Sequence, residues 1–166
     1  MTSPTDVSPT ERRALDGLRE SGIAFEVTRH GPVRSLAEAA AARGVAPARV
    51  LKTIVVRRGD DDFLFVLVPG DRQISWPRLR ALLGVSRLSL PDKEVAREVT
   101  GYERGTITPF GSLRAWPVVA DARVAGAGRV SIGAGGHGVA ATVDGDDLVR
   151  VLDAQVADVT DEAGSS

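Results

Sequence analysis

The chain has 166 residues, 43% hydrophobic and 26% charged, a composition that suits one globular domain with a single core. Its net charge of −1, from 21 basic and 22 acidic residues, argues against wrapping a long nucleic-acid backbone, but leaves room for recognition of a short single-stranded end. With no cysteine and two histidines there is no thiol nucleophile, no disulfide and too few ligands for a zinc site, so neither metal nor cofactor is expected.

Residues 1–9, rich in Ser, Thr and Pro, read as a flexible tail and lack the basic-then-apolar pattern of a secretory signal. No run approaches the roughly eighteen apolar residues of a membrane span, so the expectation is a cytoplasmic chain with no membrane partner. A single domain is expected over 10–160, followed by a second tail over 161–166. Thr10 can cap a helix running to about Glu20, with Gly22 past its end. Ile23 to Arg29 reads as a strand, and Ser35-Leu36-Ala37-Glu38 as a capping box opening an alanine-rich helix that stops at Gly44.

Val50 to Val56 is rich in β-branched residues and reads as a strand near the sheet centre. Alternation puts Val50, Lys52, Ile54 and Val56 on one face and Leu51, Thr53 and Val55 on the other. Lys52 is unusual there, because the chain uses arginine nineteen times and lysine only at Lys52 and Lys93. Either the compact ammonium is wanted for itself, or the stem packs on the sheet while the head reaches water. Gly59-Asp60-Asp61-Asp62 is a hairpin turn without calcium-loop spacing, and Phe63 to Val68 is an apolar strand pairing antiparallel with the first.

Ser75 can cap a short helix ending at Gly84, and Arg87 to Leu90 reads as a short strand. Pro91-Asp92 opens another helix, which ends near Gly101. Gly101 to Gly111 has no helical or strand period and three glycines, so it is a shaped loop whose backbone can approach a ligand. Strands follow at Trp116–Ala120, Val130–Ile132 and Val139–Val143, and a last helix runs from Asp144 to Leu152. Gly133-Ala134-Gly135-Gly136-His137-Gly138 matches a dinucleotide-binding pattern, but a strand follows it where that motif needs a helix. It reads instead as a glycine hairpin, with His137 a turn residue.

Gly101-Tyr102-x-x-Gly105-x-x-x-Pro109-Phe110-Gly111, downstream of Lys52-Thr53 and of Val68-Pro69-Gly70-Asp71-Arg72, resembles the YbaK-type aminoacyl-tRNA deacylases. That family includes the editing domain inserted in bacterial prolyl-tRNA synthetases and its free-standing relatives. The likeness runs from about Phe25 to Leu152, with Gly135 and Gly138 matching the family's G-x-x-G turn. It implies an α/β fold of α+β type, a mixed, strongly curved sheet flanked by helices. It also implies hydrolysis of an amino acid wrongly esterified to tRNA, usually cysteine or alanine on proline tRNA. The family's functional lysine falls on Lys52 and its substrate-approaching glycine on Gly105. Thr53, Gly101, Tyr102, Thr106, Pro109, Phe110, Gly111, Gly133, Gly135 and Gly138 are the implied substrate-binding set.

The chemistry fits these residue types. An aminoacyl ester is already activated, so the enzyme must position a nucleophile and stabilise the oxyanion. Backbone N–H groups near Gly105 and the Lys52 ammonium are suited to that, and the nucleophile is water or a group of the substrate itself. Gly133 stands where cysteine-preferring relatives carry serine, Ala140 where they carry aspartate, and Thr106 in the second place of the loop's glycine pair. The expected partners are the tRNA acceptor end and prolyl-tRNA synthetase, with the chain itself a monomer. Arg49, Arg72 and Arg104 are candidate phosphate contacts, and Tyr102 or Phe110 can stack on a terminal base or pack internally. A non-catalytic tRNA- or synthetase-binding module of the same fold is the alternative.

Overall fold

The computed structural model describes residues 7–163. α1 (Pro9–Ser21) starts earlier than the sequence suggests. Pro9 takes its first turn and the Ser8 hydroxyl, not Thr10, accepts from the Glu11 N–H. Gly22, with φ 80°, closes it, and β1 (Glu26–Arg29) follows. α2 (Leu36–Arg43) has the expected Ser35 cap and Gly44 stop. A short 3₁₀ turn leads into β2 (Leu51–Gly59), which turns back as β3 (Asp62–Pro69). Next come β4 (Arg72–Ile74), α3 (Trp76–Leu83), α4 (Lys93–Thr100) and β5 (Val118–Asp121). β6 (Arg129–Gly133), β7 (Val139–Asp144), α5 (Gly145–Val151), β8 (Gln155–Ala157) and β9 (Thr160–Glu162) complete the fold.

The main sheet has the order β2-β3-β5-β8, antiparallel between β2 and β3 and parallel thereafter. A second, antiparallel sheet has the order β1-β7-β6, and a single parallel bridge from Val50 to Ser131 joins the two. The result is a mixed, open arrangement flanked by helices. β3 explains why its sequence is apolar throughout. Phe63, Phe65 and Leu67 enter a core shared with α1, the second sheet and the loop before β5. Leu64, Val66 and Val68 enter another under α3. Strands buried on both faces lose the alternating pattern.

Several expectations are corrected. β2 pairs with β3 as expected, but it lies on an edge of the main sheet, because β5 takes the far side of β3. Arg87 to Leu90 is not a strand of its own; only Ser89 bridges, to Arg57. The C-terminal tail does not begin at Asp161: β9 runs to Glu162 and pairs with Arg72–Ile74. Residues 1–6 of the proposed first tail, and 164–166 of the second, lie outside the described residues. No helix among the described residues is long and apolar enough to cross a membrane.

Candidate active site

The edge position of β2 is what opens a site. Val50 bridges to Ser131, and because the two strands run parallel from that bridge, Lys52 on β2 and Gly133 on β6 lie two residues beyond it. From there β2 has no strand partner on its outer side among the described residues until Arg57 meets Ser89. A cavity of about 310 Å³ occupies the gap, lined by Arg43, Lys52, Thr53, Arg104, Gly105 and Gly133. A second of about 310 Å³ continues it along β2 and shares Thr53, Arg104 and Gly105.

Gly105 reaches the gap because the loop behind it is clamped. Arg13 of α1 donates from Nε to the Gly111 carbonyl at 2.6 Å and from Nη2 to the Gly101 carbonyl at 2.8 Å. Its guanidinium also lies over the Tyr102 ring, 4.6 Å from the centroid. The Tyr102 hydroxyl donates to the Phe110 carbonyl at 2.6 Å, and Gly135 N–H to the Thr106 carbonyl at 3.0 Å. Held on both sides, the loop turns outward at Glu103-Arg104-Gly105, where Gly105 takes φ 90°. The Gly105 N–H has no acceptor among the described residues.

The Lys52 ammonium donates to the Arg72 carbonyl at 2.8 Å, which leaves two of its hydrogens for a ligand. Partial desolvation lowers its pKa from the usual lysine value, and the nearby Asp71 carboxylate opposes that shift. Its face is the predicted one: Ile54 and Val56 join Leu64 and Val66 in the second core, while Leu51 and Val55 enter the first. The Thr53 hydroxyl is buried with no hydrogen-bond partner among the described residues, at the junction of the two cavities.

Of the sequence-nominated residues, Lys52, Thr53, Gly105 and Gly133 meet at one cavity. The others do not join them. Gly101, Thr106 and Gly135 line a separate hollow beside α1, and Pro109 another near Trp116. Thr106 is buried, its hydroxyl donating to the Glu103 carbonyl at 2.8 Å. Gly111 and Gly138 make close backbone approaches, to Arg13 and His30 respectively. Tyr102 and Phe110 are 0% and 4% exposed, so neither ring offers a face to a base. Arg72 is bound to Thr160, whereas Arg104 stays at the cavity mouth.

Arg43 was missed. Its guanidinium lies 3.4 Å from the Ser131 hydroxyl and 3.4 Å from the His30 ring, and burial pulls its pKa down from the ordinary arginine range. The sequence held a signal for it. Arg43 sits three and four residues after Ala40 and Ala39, the buried pair of α2, on the same helical stripe. With Lys52 and Arg104, it makes every charged group lining this cavity a cation.

Comparison with known proteins converges on the same region. Residues 30–151 match the model of the aminoacyl-tRNA editing domain. The proline–tRNA ligase of Heliobacterium modesticaldum is 38% identical over 94 residues, 57% of this chain and 16% of the ligase. That of Thermosipho melanesiensis is 35% identical over 83 residues, 49% of this chain and 14% of the ligase. This chain therefore spans about a sixth of the length of such relatives. A solved structure described as a candidate trans-editing enzyme for prolyl tRNA synthetase superposes with a TM-score of 0.86 at 26% identity, covering 94% of this chain and 99% of that one.

Proposed function

The chain belongs to the aminoacyl-tRNA editing domain family, and we propose that it acts in trans as a deacylase on mischarged aminoacyl-tRNA. The substrate we infer is proline tRNA carrying a small non-cognate amino acid such as cysteine or alanine, with prolyl-tRNA synthetase as a functional partner. One observation carries this reading: the Lys52 ammonium and the unpartnered Gly105 N–H share a cavity, each with hydrogen-bonding capacity to spare.

The chemistry needs little more. Water, deprotonated with the help of a neighbouring group that can be a hydroxyl of the substrate, adds to the ester carbonyl. Negative charge develops on the carbonyl oxygen while the released proton becomes available for the leaving ribose oxygen. A donor aimed at that oxygen is worth more in the transition state than in the ground state, and removal of one such donor costs roughly 100- to 1000-fold. Lys52 and Gly105 N–H are the two donors. Collapse of the tetrahedral intermediate expels the ribose oxygen, which takes a proton and leaves free tRNA and amino acid. Thr53, with its unsatisfied hydroxyl, is suited to hold the amino acid's polar atoms.

The amino acid is the finer question. Gly133 lines the cavity and its cross-strand partner Ala140, on β7, is fully buried, so neither position offers a hydroxyl or carboxylate to a ligand there. A Cβ on Gly133 would stand 3.2 Å from the Ile107 carbonyl, so a side chain there would narrow the space between β6 and the loop. Its absence leaves that wall without a contact that would single out cysteine from alanine. The test is amino-acid release from a panel of mischarged tRNAs, comparing the natural chain with Lys52→Ala. Equal rates would remove Lys52 from the mechanism. Binding of tRNA with no release from any member would make the chain the non-catalytic module.

A further inference from the structure

Beyond the Lys52 cavity the outer edge of β2 stays open until Ser89 pairs with Arg57. The second cavity continues past Leu90 and Pro91, and Ser89 is the next residue along the same strip. There a wider groove of about 570 Å³ opens, lined by Arg57, Arg58, Arg80, Ser86, Arg87 and Ser89, together with Asp60. Three hollows thus lie along one edge of β2, with the Arg57–Ser89 pair between the second and the third. Arg57 stands five residues beyond Lys52, which at the rise of a strand is about 17 Å.

The charge along this path is one-sided. At the near end are Arg43, Lys52 and Arg104, with no carboxylate among the lining residues. At the far end Arg57 is paired with Asp60 at 2.9 Å, and Arg58 with Asp62 at 3.1 Å. Arg80 and Arg87 are different. Neither guanidinium has a hydrogen-bond or ion-pair partner among the described residues, although both line the groove. In a chain whose net charge is −1, two unspent arginines facing one groove are a local feature and not an overflow of general basicity. Between the two cationic ends lies Leu90, 57% exposed, an apolar surface in the middle of the path.

We propose that this groove carries the sugar–phosphate backbone of the single-stranded acceptor end away from the ester site, with Arg80 and Arg87 as its far phosphate contacts and Leu90 beneath a base. The proposal rests on the reading of the Lys52 cavity as the ester site. A stacked strand advances about 3.4 Å per nucleotide, so the path from Lys52 to Arg57 holds about five stacked nucleotides, or fewer in extended form. Phosphate contacts of this kind fix register without reading sequence. An acidic protein surface would also suit the arginines, but it would not account for their groove lying on the same edge of β2 as the ester cavity, separated from it only by the Arg57–Ser89 pair.

The test uses an uncharged RNA minihelix ending in the single-stranded acceptor sequence, with affinity measured by fluorescence anisotropy at several salt concentrations. Arg80→Gln with Arg87→Gln is expected to weaken binding about tenfold at low salt and to flatten the slope of log affinity against log salt by about 1.5. With mischarged tRNA the same variant should raise KM by a similar factor and leave kcat unchanged. Ser86→Glu, a change at an exposed position, should weaken minihelix binding without removing any arginine. Unchanged affinity and slope in both variants would overturn the proposal, as would hexaglutamate competing as well as the minihelix, which would assign the groove to an acidic protein. The two readings fail separately. Lost minihelix affinity in a chain that releases no amino acid keeps the groove and dismisses the deacylase, whereas active chains with unmoved KM do the reverse.

Discussion

Gly105 and Gly135 hold nearly the same backbone conformation, with φ 90° and 83°, and sit in segments that touch each other. Their surroundings are opposite. A Cβ on Gly135 would stand 2.5 Å from the Thr10 carbonyl oxygen and 3.0 Å from the Tyr102 ring, whereas one on Gly105 would meet nothing nearer than His137 at 3.8 Å. One glycine is required by the chain packed against it; the other faces open space. A family pattern records both with the same letter. The difference separates residues that build the loop from residues the loop exists to present.

The largest effect that would break this contrast is at Gly135. Gly135→Ala adds left-handed strain to a backbone clash and should cost about 3 kcal/mol, lowering Tm by roughly 10 °C in a thermal melt. Comparable stability to the natural chain would mean the turn is looser than described. Next comes Lys52→Ala, for which kcat/KM should fall about 100-fold, or about 2.7 kcal/mol, in single-turnover deacylation. Its Tm should hold or rise, because a partly desolvated cation is removed. Gly105→Ala should sit between the two kinds of residue. Strain alone costs about 1–2 kcal/mol, while activity drops with the reoriented N–H.

Tyr102→Phe should cost about 1 kcal/mol through the lost bond to the Phe110 carbonyl, and leave deacylation rates unchanged. A change in KM there would return the tyrosine to the substrate. The smallest effect concerns pH. The folded state lowers the pKa of Lys52, so it binds fewer protons than the unfolded chain between the lowered and the usual lysine values. Stability should therefore rise slightly as pH increases through that window, in denaturant titrations, and Lys52→Met should abolish the rise. Deacylation should move the other way, falling as the ammonium deprotonates, with burial favouring that loss and Asp71 opposing it.

Much of the fold was legible because local chemistry wrote it. Ser35, Gly44 and Gly84 mark helix ends by caps and left-handed stops that no tertiary contact has to supply. The β2–β3 hairpin follows from the turn aspartates and β-branched flanks. What escaped depends on distant partners. The parallel pairing of β5 with β3 moved β2 from centre to edge, and nothing within Val50–Val56 encodes that. β4, β8 and β9 are three residues each, too short for periodicity to register. At the site, lysine in an apolar strand was a readable anomaly. Tyr102 and Phe110 stay undecided in sequence between stacking and packing, because an aromatic in a glycine loop looks the same whether it faces a ligand or, as Tyr102 does, the Arg13 guanidinium.

The bridge from Val50 to Ser131 and the pairing of Glu26 with Thr142 have a consequence in time. The walls of the Lys52 cavity come from positions 43, 52, 105 and 133, so no short stretch of the chain contains more than two of them. Closing such distant contacts is the slow, entropically costly part of folding. A growing chain that has not yet delivered β6 has Lys52 but no Gly133 wall opposite it. Ester-cleaving ability should therefore arrive abruptly and late in refolding, in step with the last long-range contacts, and not accumulate as the hairpin and helices form.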